Sequence, residues 1–165
     1  RAAVLDLCLT LVGRLSDEAY TSPSHVLRGG TIGKHHRHLL DHVVVATGGA
    51  CCGPDDCLDY DHRSRGGNIE QDRVAAGKAI EDAASALAQL DEPSLQQETR
   101  VRFMYNGQGD QAVLRSTVGR ELAFAMHLAI HHQAMMRAIA GEQGSEVPVE
   151  FGTAPDTLRH ERAQD

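Results

Sequence analysis

Apolar residues recur at helical spacing over four stretches of the chain, and that periodicity predicts most of the architecture. Val4, Leu7, Leu11 and Leu15 stand three or four residues apart, with Cys8 and Val12 widening the stripe, so a first helix is expected over about 2–19. Ser22-Pro23-Ser24 ends it. Thr31 is placed to cap a second helix running to about Ala46, where Gly48 and Gly49 stop it. A third apolar face, built on Val74, Ile80, Ala83, Ala84, Leu87 and Leu90, spans about 69–90 and closes at Asp91-Glu92-Pro93. The fourth and longest helix is expected from Thr117 to about Ala140, ending at Gly141 and Gly144.

The connections differ in kind. Residues 48 to 68 are too punctuated by glycine, Pro54 and aspartate for a regular element and are long for a loop, and long loops of this sort tend to be functional. Between the third and fourth helices Val101, Phe103 and Tyr105 alternate with arginines, Asn106-Gly107 supplies turn chemistry, and Ala112-Val113-Leu114 answers. That pattern predicts a short β-hairpin or extended excursion. From about 147 the tail reads as extended at Pro148 and Pro155, with a turn of helix around Leu158. The expected fold is therefore all-α: one domain over 1–165, a four-helix bundle with crossover connections.

Composition agrees. With 41% hydrophobic and 24% charged residues the chain suits a soluble domain, and 4% aromatics with no Trp leaves a core of Leu, Ala, Val, Ile and Met, which favours helices packed on helices. A net charge of −7 speaks against a nucleic-acid partner, for which Arg63 and Arg65 are too few. No stretch reaches the roughly 18 apolar residues of a membrane span. Ala2 to Val12 is broken by Asp6 and reads as a core helix rather than a signal peptide; the chain opens on Arg1, so the native N-terminus is not visible. Cys8, Cys51, Cys52 and Cys57 do not make a disulfide scaffold, which makes a reducing cytoplasm the simpler setting, and the loop cysteines lack CxxC spacing and are expected as solvent-side thiols.

The candidate chemistry lies in the histidines. His127 and His131 are four apart on the fourth helix and share a face; His132, about 100° further round, is expected beside a site or on the surface. On the second helix His35, His38 and His42 share a face at i, i+3, i+7, so spacing alone does not choose among them, while His36 points elsewhere. His38, His127 and His131 each sit near mid-helix and can meet at one height of a bundle. Imidazoles on apolar faces need partners for their ring nitrogens. Three on one metal would leave a coordination position open, as in catalytic rather than structural sites.

Three segments resemble the DinB/YfiT-like superfamily of metal-binding four-helix-bundle proteins. They are Thr31-Ile32-Gly33-Lys34-His35-His36-Arg37-His38-Leu39-Leu40-Asp41-His42, Asp59-Tyr60-Asp61-His62-Arg63-Ser64-Arg65, and Gly119-Arg120-Glu121-Leu122-Ala123-Phe124 leading into His127-Leu128-Ala129-Ile130-His131-His132. The tail Phe151-Gly152-Thr153-Ala154-Pro155-Asp156-Thr157-Leu158-Arg159 is similar to that of an uncharacterised bacterial branch. The resemblance implies one divalent metal, zinc or nickel, held by His38, His127 and His131, with His38 taken over His35 because the family ligand lies one turn further from the helix entry.

The family includes thiol S-transferases, a thiol-dependent isomerase and proteins described as hydrolases. It implies a metal-dependent enzyme that activates a water or a low-molecular-weight thiol cosubstrate for attack on a small electrophile. Where a related domain has a Glu two residues after its HxxxH, this chain has Gln133, so a carboxylate base is absent there. Tyr60, Asp61, Arg63 and Arg65 are the candidate catalytic helpers if the long loop folds over the bundle mouth; otherwise their charges pair in a solvated turn. The alternative is a non-catalytic, metal-stabilised bundle acting in stress or protein interaction, with a homodimer as the assembly to look for.

Overall fold

Side-chain caps decide where most of the helices start. Thr31, Asp72, Asp91 and Thr117 each accept a hydrogen bond from a backbone N–H of the turn that follows, satisfying donors that have no partner inside the helix. The computed structural model describes residues 3–48, 57–61 and 68–164. Its helices are α1 (Ala3–Arg14), α2 (Asp17–Thr21), α3 (Ile32–Ala46), α4 (Arg73–Ala88), α5 (Glu92–Gln96), α6 (Val118–Glu142) and α7 (Pro155–Arg162), and its strands are β1 (Cys57–Asp59), β2 (Glu98–Met104) and β3 (Gln111–Thr117).

Several expectations change. The first helix, expected unbroken over 2–19, is two: the Ser16 side chain accepts from Ala19 N and restarts the chain as α2. Asp91-Glu92-Pro93 closes one helix but also opens another, since Asp91 caps α5 with the proline in its first turn. The tail carries α7 where a single turn was expected.

The chain is mostly helical rather than all-α. Its hairpin strands β2 and β3 pair antiparallel from Glu98↔Thr117 to Met104↔Gln111, and β1 adds to the other edge of β2 in parallel, giving the order β1-β2-β3. Because β1 comes from the segment expected to be structureless, Cys57 is fully buried instead of facing solvent. Its neighbours Cys51 and Cys52 lie outside the described residues.

The long helices α1, α3, α4 and α6 share one core, with α6 lying along α3 and α4 against both α1 and α3. Leu5, Leu11, Leu39, Val43, Ile80, Met136 and Ile139 fill it. A smaller cluster of Val45, Leu58 and Val101, with Tyr60 packed against it, fastens the sheet to the C-terminal half of α3. At the other end of α3 the backbone of a 3-10 turn, Asn68–Glu70, approaches so closely that a Cβ on Gly33 would fall 2.1 Å from Glu70 O. Arg37 bonds the Glu70 carboxylate at 2.6 Å and holds that approach.

Gln133, at the position where the resemblance leads one to look for a base, is a structural side chain. It is almost wholly buried; Nε2 donates to Val4 O at 2.7 Å and to Cys8 Sγ at 3.3 Å, and Oε1 accepts from Gly152 N. One carboxamide therefore joins α1, α6 and the tail. Gly152 has φ of 77° and lies where a Cβ would be 2.4 Å from Ala134 N, so the tail can approach α6 only as glycine. A carboxylate has no donor for Val4 O. Gln133→Glu should lower stability by roughly 3 kcal/mol in urea unfolding through a buried acceptor facing an acceptor; a midpoint equal to wild type would show that the carboxamide is not the latch.

Candidate functional site

The histidines of α3 and α6 meet, though not in the combination that spacing suggested. Buried positions on α6 run Ala125, Ala129, His132, Met136, Ile139 and Ala140, a stripe that turns His132 toward α3 and leaves His127 and His131 exposed. His132, expected beside the site or on the surface, is 7% exposed and stands at the centre of the cluster. Its Nδ1 lies 2.9 Å from Nδ1 of His35, so one ring donates and the other accepts. The His38 ring meets His132 edge-on with centroids 4.7 Å apart, and His131 lies 5.4 Å from His132. His38 thus enters the cluster as expected, His131 stands at its edge, and His127 has no described ring contact with it.

His42 continues the cluster toward the sheet. Its ring is edge-on to His38 at 4.6 Å, and Nδ1 is 2.9 Å from His38 O; donation there makes Nε2 the lone-pair nitrogen. The far face of His42 stacks on Tyr60, 5.1 Å away and 12° from parallel. Tyr60, a helper proposed from sequence, is therefore brought to the site. Its hydroxyl donates to Glu121 Oε2 at 2.9 Å, and burial together with that carboxylate raises its pKa, so it stays protonated and is no base. Asp61 follows it, its carboxylate accepting from Met104 N. Arg63 and Arg65 lie outside the described residues.

Glu121 is the residue that sequence reasoning missed. It is 1% exposed, and its carboxylate accepts from Tyr60, Ser116 and Arg120. A Glu in the first turn of a helix ordinarily serves the helix dipole at the surface, so its type and position carry no signal of burial.

Burial sets the protonation of the cluster. The His132 pKa is pushed down to about 3, first by desolvation and then by the neighbouring His38, His35, His131 and His42; His35 is lowered for the same leading reason. His132 and His35 are therefore neutral at pH 7, the form that binds metals. Zinc or nickel would find suitable donors in His35, His38 and His132, two of whose Nδ1 atoms need part only from 2.9 Å to roughly 3.3 Å, the spacing of two imidazoles on a tetrahedral ion. Donor type and proximity fit a divalent cation. In pose, no three His, Cys, Asp or Glu side chains among the described residues already converge as ligands.

His36 faces the core instead. It is fully buried, stacks on Tyr20 at 5.7 Å, and neither ring nitrogen has a hydrogen-bond partner; burial holds its pKa down to about 3. An unfolded histidine titrates near 6.5, so below that pH the unfolded chain takes up a proton that folded His36 refuses. Stability is full above about pH 6.5 and falls as pH drops toward 3, by up to about 4–5 kcal/mol at about 1.4 kcal/mol per unit. In metal-free protein His36→Leu should make this acid limb shallower, His132 and His35 keeping their share of it; an unchanged limb in urea titrations across pH would remove His36 as a source.

No family model matches the chain. FK506-binding protein 5 of Rhizopus delemar is 35% identical over 108 residues, which cover 65% of this chain and 28% of that protein, so the chain spans little more than a quarter of its relative. Among solved structures, the DinB-like protein YjoA of Bacillus subtilis superposes with a TM-score of 0.55 at 19% identity, over 89% of this chain and 92% of that one. The mostly helical architecture, with its longest helix laid along a histidine-bearing partner, is a DinB-like fold.

Proposed function

We propose that the chain is a divalent-metal-binding protein of four-helix-bundle type whose metal sits among His35, His38 and His132, with His131 the nearest further donor. The single observation behind this reading is the 2.9 Å approach of two neutral imidazoles from different helices, with a third ring against them. His38 is the ligand carried over from the family resemblance. His132 takes the place that spacing assigned to the His127 and His131 pair, because it is the α6 imidazole on the buried stripe. Zinc and nickel both suit imidazole donors.

On this reading the protein is a metal-dependent enzyme of the thiol-transferase or hydrolase kind. When bound, the ion supplies Lewis acidity that lowers the pKa of a water or thiol. The chain's own groups orient and exclude water: Tyr60, held by Glu121, stacks on His42 and so fixes that ring, and Leu39 and Val43 back the cluster from the core. A specific observation favours the non-catalytic alternative: position 133 carries a carboxamide in place of a carboxylate, and Tyr60 keeps its proton in a hydrogen bond to Glu121, so neither is a base.

Elemental analysis of protein purified without a metal-affinity tag should give near-stoichiometric metal. His132→Ala should lose it, and His127→Ala should keep it. Loss in His127→Ala with retention in His132→Ala would move the site to the exposed face of α6, and no metal even after reconstitution would end the metal reading. Stripping the metal separates the two functions. A catalytic site loses activity with little change in melting temperature, whereas a structural one loses the fold, since its binding free energy is folding free energy.

A further inference from the structure

We propose that the free edge of β3 pairs with the same strand of a second copy of this chain, joining two three-stranded sheets into one across a two-fold axis at Val113. In the order β1-β2-β3 the last strand stands at the margin, with no described strand on its outer side. The register decides which of its backbone groups look outward. Val118 N donates to Gln97 O and Tyr105 N to Asp110 O, so the hydrogen-bonded pairs of the hairpin, taken every second residue between them, fall at Ala112, Leu114 and Ser116 of β3. The amide and carbonyl of Gln111, Val113 and Arg115 therefore point away from β2, where no described group meets them. Such an edge is ordinarily blunted by proline, lysine or a bulge; β3 has neither residue and pairs with β2 without a bulge.

Exposed apolar surface collects at the same place. Among the described residues, the exposed large apolar side chains include Met104, Tyr105, Val113 and Leu114 of the hairpin and Phe124 beside it. Alternation turns Ala112 and Leu114 to the face toward α6, where Leu114 and Phe124 stand at a cavity of about 460 Å³ that Tyr60, Asp61 and Glu121 also line. It turns Val113 and Arg115 to the opposite face. Leu114 is 55% and Val113 40% exposed, and apolar groups uncovered on both faces of an unpaired strand call for a partner strand rather than a ligand held on one face.

A second copy fits because β3 complements itself in one register. Outward-pointing backbone groups meet only when odd-numbered positions face one another, and among those registers the charge of Arg115 selects. Pairing Arg115 with itself or with Val113 sets the two guanidiniums opposite or diagonal, and a shift the other way takes Arg115 past the end of the facing strand. With Val113 opposite Val113 of the second copy, Arg115 faces Gln111, Leu114 faces Ala112, and the two Leu114 side chains lie diagonal to one another. The same patch is used on both copies, as a closed dimer requires.

No metal enters this interface, so it is tested by sedimentation equilibrium with chelator present, which removes any dimer bridged by metal on exposed histidines. Wild type should show a monomer–dimer equilibrium. Val113→Pro should abolish it, because the ring replaces an N–H that points outward and takes nothing from the β2–β3 ladder. Gln111 tests the register, since it lies across from Met104 within the hairpin and across from Arg115 only in the dimer. Gln111→Glu should tighten the dimer about fivefold and Gln111→Lys loosen it by about as much, through two symmetric cross-strand pairs. In a chain of net charge −7, association without this register would order the two variants the other way. A wild type that stays monomeric up to millimolar concentration, a dimer that persists in Val113→Pro, or Gln111 variants in equal or reversed order would each overturn the proposal. The Gln111 pair decides even where Val113→Pro disturbs the strand, which circular dichroism reads.

Discussion

The packing of α6 along α3 is the constraint on which the other features depend, because it removes several imidazoles from water where few hydrogen-bonding groups exist to receive them. An isolated imidazole in that position costs free energy unless both ring nitrogens are answered. His132 and His35 answer one another at Nδ1 while Nε2 of His35 stays buried without a hydrogen-bond partner, and His42 turns Nδ1 to the carbonyl of His38 one turn earlier. Desolvation keeps protons off His132 and His35, so that in their mutual hydrogen bond one neutral ring donates and the other accepts.

The surroundings hold that interface in register. Gln133, one residue beyond His132, ties α6 to α1 and to the tail, so the rotation of α6 about its own axis is fixed next to the cluster. On α3 the close approach at Gly33 and the Arg37 to Glu70 pair fix the helix just before His35 and His38. Tyr60 fixes the outer side, stacked on His42 and hydrogen-bonded to Glu121 at the start of α6. A helix pair that could slide or roll by a few degrees would not keep two ring nitrogens within hydrogen-bonding distance.

Much of this was legible from the sequence. Thr31 was legible as the cap of α3 and Thr117 as the start of α6, and the alternation around Val101 and Phe103 announced the hairpin, whereas α4 starts at its Asp72 cap, a few residues after the expected 69. Other features lacked a local signal. β1 is three residues long and pairs in parallel with a strand some forty residues later, so nothing in its own neighbourhood announces it. Which of the α6 histidines faces α3 was hidden for a different reason. Spacing shows that His127 and His131 share a face but not which way it points, and the stripe that turns His132 inward is made largely of alanines, Ala125, Ala129 and Ala140, whose weak hydrophobicity hides the buried side. Glu121 was hidden because a first-turn acid is common at the surface.

The pair His42 and Tyr60 divides two chemical settings. On one side lies the histidine cluster, where His35 meets His132 and His42 meets the His38 carbonyl. On the other lies a cavity whose two carboxylates, Glu121 and Asp61, are supplied with donors. The stack of Tyr60 on His42 stands between the cavity and the histidine cluster. That arrangement explains why a tyrosine that cannot serve as a base is nevertheless buried against a glutamate. The hydrogen bond to Glu121 spends the phenol's proton on position, and what it positions is the wall between the cluster and the cavity.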